Sequence, residues 1–158
     1  MDYALDSSQP GIDPETDHGM AAPAAAVSSK NQPSDTSFFV ERDGKQFAGV
    51  HLIIDLWGAK HLDDKPHIEA TLRRCVEAAG ATLLHIHLHR FEPNGGVSGV
   101  AVLAESHISV HSWPETGYAA FDIFTCGDTT PMAAVDVLRE AFAPDRVLVG
   151  EHLRGEQG

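Results

Sequence analysis

Basic side chains are scarce in this sequence: 11 lysines and arginines stand against 23 aspartates and glutamates, a formal charge of −12 over 158 residues. Such a surface repels polyanions, so neither nucleic acid nor an anionic membrane is an expected partner. Cysteine is scarcer still, with Cys75 and Cys126 alone. Two thiols 51 residues apart build neither a disulfide framework nor a thiolate metal site, and each reads as a free thiol in a reducing compartment. Residues 1–30 lack a basic segment followed by an apolar one, and no apolar run reaches bilayer length, so the expected location is the cytoplasm. HExxH, CxxC and a phosphate-cradling glycine loop ahead of a helix are also missing, which removes the commonest zinc and nucleotide sites. Gly95-Gly96-Val97-Ser98-Gly99 lies between two strand-like runs and reads as part of a hairpin.

What the chain does have is enough for one domain: 42% of its residues are hydrophobic. Residues 1–46 are rich in Pro, Ala, Ser, Asp and Gly without helical or strand periodicity, and read as a disordered tail ahead of a domain spanning 47–158. Val50, Leu52, Ile53, Ile54 and Leu56 form a β-branched run ending at Gly58, a strand. Asp63 or Asp64 can cap a helix with Pro66 in its first turn. Ile68, Leu72, Cys75, Val76 and Ala79 then share a face before Gly80 stops it, making Cys75 a small core residue. Residues 82–91 and 97–106 read as strands joined by a tight connection, 118–125 as another, and 147–153 as the last. Thr130-Pro131 opens a second helix carrying Ala134, Val137, Leu138 and Ala141 on one side. This order predicts an α+β two-layer sandwich, a mostly antiparallel sheet with helices on one face. A second copy of the chain is the natural cover for the other face.

His85, His87 and His89 alternate along one strand and so share a face. They invite a zinc reading, but residues at i, i+2 and i+4 span roughly 13 Å and cannot converge on one ion unaided. A polar or subunit-facing sheet surface is the simpler interpretation, and no metal is expected.

The stretch 105–127, Glu-Ser-His-Ile-Ser-Val-His-Ser-Trp-Pro-Glu-Thr-Gly-Tyr-Ala-Ala-Phe-Asp-Ile-Phe-Thr-Cys-Gly, concentrates hydroxyl, imidazole, carboxylate and thiol groups. By residue type alone these can supply a nucleophile, a base and a proton donor, but hydrogen-bonded strand residues around a buried thiol are the simpler interpretation. The stretch resembles the signature of bacterial S-adenosylmethionine decarboxylase proenzymes. The resemblance runs from about Gly49 to Gly155, with 51–58 (His-Leu-Ile-Ile-Asp-Leu-Trp-Gly) similar to that family's first strand and 96–100 (Gly-Val-Ser-Gly-Val) similar to its processing-serine segment.

The resemblance implies a self-cleaving chain whose cofactor is a pyruvoyl group made from Ser106. Cleavage between Glu105 and Ser106 would give a β chain (1–105) and an α chain (106–158). In that scheme Ser106 Oγ attacks the Glu105 carbonyl to form an ester, His111 is the proton acceptor for the elimination that comes next, and Ser98 hydrogen-bonds the developing oxyanion. The pyruvoyl carbonyl then forms a Schiff base with the substrate amine, and Cys126 is the proton donor in decarboxylation. Cys126 has no part in the cleavage on this reading. Phe91 is implied to stack on adenine and Glu115 to bind the ribose hydroxyls of S-adenosylmethionine, whose decarboxylated product supplies aminopropyl groups for spermidine. The segment from Phe91 to Ser98 is one residue longer than is usual in the family, and Ala59 stands where many members have Cys. A homodimer of cleaved protomers is implied as the working unit. Two alternatives share the scaffold: a pyruvoyl-dependent arginine or ornithine decarboxylase, and a regulatory relative that does not process itself.

Overall fold

The computed structural model describes residues 38–157. The elements in chain order are β1 (Val40–Arg42), β2 (Lys45–Trp57), α1 (Lys65–Ala78), β3 (Leu83–Arg90), β4 (Val97–Leu103), β5 (Ser106–Trp113), a 3-10 turn (Pro114–Thr116), β6 (Tyr118–Thr125), α2 (Ala133–Phe142) and β7 (Arg146–Gln157). All described strand pairs are antiparallel. β2 pairs with β7 and β6 through the same residues, 50–57, so these two flank it on opposite edges, and the sheet continues from β6 through β5 and β4 to β3.

Period-two alternation decides which face is buried. Leu52, Ile54 and Leu56 of β2, Ala101 and Leu103 of β4, Ile108 and Val110 of β5, and Phe121 and Ile123 of β6 all turn to the helical side and lose their water. There they meet Ile68, Leu72, Cys75 and Val76 of α1 and Ala134, Val135, Leu138 and Phe142 of α2. The side chain of Asp64 accepts from the His67 amide at the start of α1, and Pro66 occupies its first turn. Burial pushes the Cys75 thiol up to about 12, so it is an inert core group. No described helix is long and apolar enough to cross a membrane.

The α+β sandwich with helices on one face is the architecture expected from the sequence; two local readings need correction. Residues 40–46 belong to the sheet, because Asp43 (φ 53°) and Gly44 (φ 74°) form a two-residue hairpin turn that pairs Arg42 with Lys45. The earlier residues of the segment read as a tail lie outside the described residues. The strand read as 97–106 stops at Leu103. Ala104 and Glu105 make a turn, and 106–113 form a separate strand, β5, which the sequence reading did not delimit. Neither turn residue is a typical turn former, which is why the break was not visible.

Among the described residues no helix lies on the opposite sheet face. On it lie His85, His87 and His89 of β3, Ser98 of β4, His107, Ser109 and His111 of β5, Asp122 and Phe124 of β6, and His51, Asp55 and Trp57 of β2. Among the described residues no three His, Cys, Asp or Glu side chains come together as a metal-binding group. Replacement of Leu72, fully buried between α1 and the sheet, by Ala should cost about 2–5 kcal/mol. Chemical denaturation of Leu72→Ala beside the parent chain measures this, and a difference below 1 kcal/mol (on the order of one methylene) would show that the helical layer is not packed as described.

Candidate functional site

The β4–β5 turn and the end of β6 meet because β5 and β6 pair along their whole length, Ser106 opposite Thr125 and Trp113 opposite Tyr118. The residue after Thr125 therefore arrives at the turn. Cys126 donates its backbone N–H to the Glu105 carbonyl at 3.1 Å, and its thiol Sγ reaches the same oxygen, also at 3.1 Å. The Glu105 carboxylate accepts from the backbone N–H of Thr82 at 2.9 Å, and the Ala104 N–H donates to the Thr82 carbonyl. Ser106 has φ 146°, a value that residues with a Cβ rarely adopt. Glu105, Ser106 and Cys126 thus form one group: a strained peptide whose carbonyl faces two donors.

A second group lies toward the other end of the same strands. Ser98 and His111 are directly opposed on β4 and β5, and Ser98 Oγ is 2.9 Å from His111 Nδ1. The loop after Phe91 returns over the backbone of Ser112, where a Cβ on Gly96 would stand 2.7 Å from the Ser112 carbonyl. Phe91 is 47% exposed, with its ring edge-on to His89 at 4.6 Å, and Glu115 is exposed on the 3-10 turn beyond β5. Five residues of extended strand separate Ser106 from His111, about 17 Å at roughly 3.4 Å per residue. Within one chain, then, the residues singled out from the sequence fall into two sets, Glu105, Ser106 and Cys126 at one end, Ser98, His111, Phe91 and Glu115 at the other.

Sequence reasoning passed over an aromatic row beside the second set. Trp113 lies 5.2 Å from Tyr118 and Tyr118 lies 5.7 Å from Trp57, centroid to centroid, while the Arg146 guanidinium sits 3.7 Å above the Trp57 ring. Alternation along β5, β6 and β2 was the available signal, since all three rings project from the helix-free face. Tyr118 also donates to Asp55 Oδ1 at 2.5 Å. That hydrogen bond is the main reason its phenol is raised from 10.0 to about 12, with desolvation and the charges of Asp55 and Asp122 adding to it.

A sequence model of the S-adenosylmethionine decarboxylase family matches residues 50–155. The S-adenosylmethionine decarboxylase proenzyme of Thermomicrobium roseum is 49% identical over 108 residues, covering 68% of this chain and 93% of its own. That of Methanococcus vannielii is 50% identical over 110 residues, covering 68% and 89%. The crystal structure of the adenosylmethionine decarboxylase from Aquifex aeolicus superposes with a TM-score of 0.61 at 38% identity, over 68% of this chain and 90% of that one. Fold and relatives together define a decarboxylase. The chain belongs to the S-adenosylmethionine decarboxylase family.

The chain has only two tyrosines, Tyr3 and Tyr118, so the shifted phenol is open to measurement. Ultraviolet titration should show one phenolate absorbance step displaced to about pH 12, returning toward 10 in Asp55→Asn. Between those pH values the unfolded chain has released a proton that the folded one keeps, so stability falls as pH rises through the window. Two phenols titrating together near 10 in the folded protein would contradict the Tyr118–Asp55 bond.

Proposed function

We propose that this chain is an S-adenosylmethionine decarboxylase proenzyme that cuts itself between Glu105 and Ser106 and carries a pyruvoyl group derived from Ser106. The observation that carries the reading is the pair of donors on the Glu105 carbonyl. Attack by Ser106 Oγ on that carbon forms a C–O bond, breaks the C–N bond and passes through an oxyanion at the position where the Cys126 N–H and thiol already converge. The product is an ester with a free Ser106 amine. Loss of the Ser106 α-proton to His111 then expels Glu105 as a carboxylate, and water releases ammonia from the remaining dehydroalanine to leave the ketone. Ser98, hydrogen-bonded to His111 Nδ1, fixes which imidazole nitrogen is free to take that proton. The residues present fit the formation of such a group: a strained serine peptide, donors for the oxyanion and a base held by a hydroxyl.

When formed, the pyruvoyl carbonyl supplies an electron sink for loss of carbon dioxide from a bound amino acid. Cys126 holds at Sγ a proton for the product. Phe91 offers an exposed ring for adenine, and Glu115 a carboxylate for the ribose hydroxyls and the cationic sulfonium substrate.

The separation of about 17 Å between Ser106 and His111 supports a site in which His111 acts on another chain's Ser106. Two copies packed with their helix-free faces together, related by a two-fold axis, bring the Ser106 end of one over the Ser98–His111 end of its partner. The working unit is accordingly a homodimer with two composite sites. Exposed Trp113, Ile53 and Leu148 on that face supply apolar contact.

Ser106→Ala should remain uncut and inactive, since no oxygen is left to form the ester; two fragments on a denaturing gel would place the cut elsewhere. His111→Ala should also fail to cut. Co-expression of Ser106→Ala with His111→Ala chains should restore cleavage of the His111→Ala chain, because one of the two sites in the mixed dimer is intact. Absence of that rescue in a verified mixed dimer would refute the shared site.

Cys126→Ala, expected from the sequence to cut normally, is now expected to cut more slowly, since one of two oxyanion donors is lost, by up to about 10²-fold. Decarboxylation by whatever chain does cut should fall about 10²- to 10⁴-fold for loss of a general acid. A time course of fragment appearance, combined with carbon dioxide release from S-adenosylmethionine, reads both effects. Unchanged rates in both would return Cys126 to an ordinary thiol.

A further inference from the structure

The sheet contains two hairpins with loops of the same length that solve the same problem differently. Between β1 and β2 the loop is Asp43-Gly44, and both residues take positive φ, as a two-residue turn between twisted strands demands. Between β4 and β5 the loop is Ala104-Glu105, closing Leu103 against Ser106, and neither loop residue takes positive φ. The deviation appears one residue later, at Ser106, with φ 146°. A loop without glycine has transferred its conformational misfit onto the residue that is to be cut.

Something must hold that arrangement against relaxation. Besides the Cys126 thiol on the Glu105 carbonyl, three hydrogen bonds do so: Ala104 N–H to the Thr82 carbonyl, Cys126 N–H to the Glu105 carbonyl, and Thr82 N–H to the Glu105 carboxylate. The first two use only main-chain groups. The third is the only one of the three to use the side chain of the residue that forms the scissile bond, and it bridges the turn to the residue just ahead of β3.

We propose that Glu105 is a positioning residue for self-cleavage: its carboxylate, anchored on the Thr82 amide, keeps the Ala104-Glu105 turn from relaxing and so keeps the strain on the Ser106 peptide. The inference rests on the self-cleavage reading and concerns only that step. Conversion of the Glu105–Ser106 amide to an ester replaces a stiff planar bond by a softer one, and the later elimination makes the Ser106 α-carbon trigonal. Both changes relieve the distortion, so the clamp raises the intact chain in free energy relative to the ester and the dehydroalanine, and does nothing for turnover once the chain is cut. The acceptor oxygen is what the Thr82 amide needs, which an amide side chain also offers, though a carboxylate offers it more strongly.

Pulse-labelled synthesis in a cell-free system, with fragment appearance recorded on denaturing gels, measures the cleavage rate of full-length chains. Glu105→Gln should cut within about threefold of the parent and Glu105→Ala about tenfold to a hundredfold more slowly, a loss typical of a misplaced reacting group. Ala104→Gly, which lets the loop adopt a relaxed primed turn, should slow cleavage while leaving Glu105 in place. After purification, the cut fraction of each variant should have parental kcat and KM for S-adenosylmethionine. In a Ser106→Ala background no variant should melt well below the parent, which separates positioning from general loss of structure. Glu105→Ala cutting at the parental rate, Gln falling as far as Ala, or Ala104→Gly cutting as fast as the parent would each overturn the proposal. A parent chain that is itself never cut would instead overturn the self-cleavage reading.

Discussion

The pairing of β5 with β6 through to their ends is the constraint on which the site depends. Strand hydrogen bonds are individually worth only about 0.5–1.5 kcal/mol, but eight consecutive residue pairs fix the register to a fraction of an ångström. Ser106 opposite Thr125 is the last of them, and Cys126, one step on, has its N–H and thiol on the carbonyl of Glu105. A shift of β5 by one residue would turn Ile108 and Val110 out of the core while Phe121 and Ile123 stayed in it, so the packing of β5 against the helical layer guards the position of one thiol. The chemistry at the turn borrows its precision from the core on the other side of the sheet.

The same register sets a limit. A strand is extended, and groups five residues apart on it cannot meet by any rotamer change. Ser98 and His111 are locked opposite each other by β4–β5 pairing just as firmly as Cys126 is locked to Glu105, and the two pairs cannot serve one bond within one chain. A helix or loop could bend to join them; a sheet cannot. The proposed composite site is thus a consequence of carrying both groups on one rigid layer, and a helix-free face is the geometric condition for a second layer to approach.

Much of this was legible in the sequence, for reasons that differ by element. Residues 50–57 and 118–125 alternate or run apolar between clear punctuation, and α1 announces itself by Asp64, Pro66 and the spacing of Ile68, Leu72 and Cys75. β5 was missed because strand reading depends on turn residues, and Ala104-Glu105 offers none. The identities of Ser106, His111 and Cys126 as site candidates came from family resemblance, and the comparison with relatives supports the family without testing each role. The division into two groups was invisible, because strand register is a property of pairing between segments and no single segment encodes it. The contact of Cys126 with the Glu105 carbonyl went unread for the same reason, although both residues had been named.

Two cysteines in one small sheet protein illustrate how location, not residue type, sets chemical use. Cys75, on the buried face of α1 with its thiol directed at the Ala134 carbonyl 3.8 Å away, is held protonated by desolvation and meets no solvent or substrate. Cys126 stands at the sheet's rim, partly exposed, with a carbonyl in reach at 3.1 Å. The hydrogen bond directs its proton at the Glu105 carbonyl. On the proposed reading, cleavage at Glu105 would turn that carbonyl into a carboxylate on a new chain terminus. In the proposed scheme the same thiol would serve both reactions, the oxyanion of cleavage first and the product of decarboxylation afterwards, so its place at the rim, and not its residue type, decides its use.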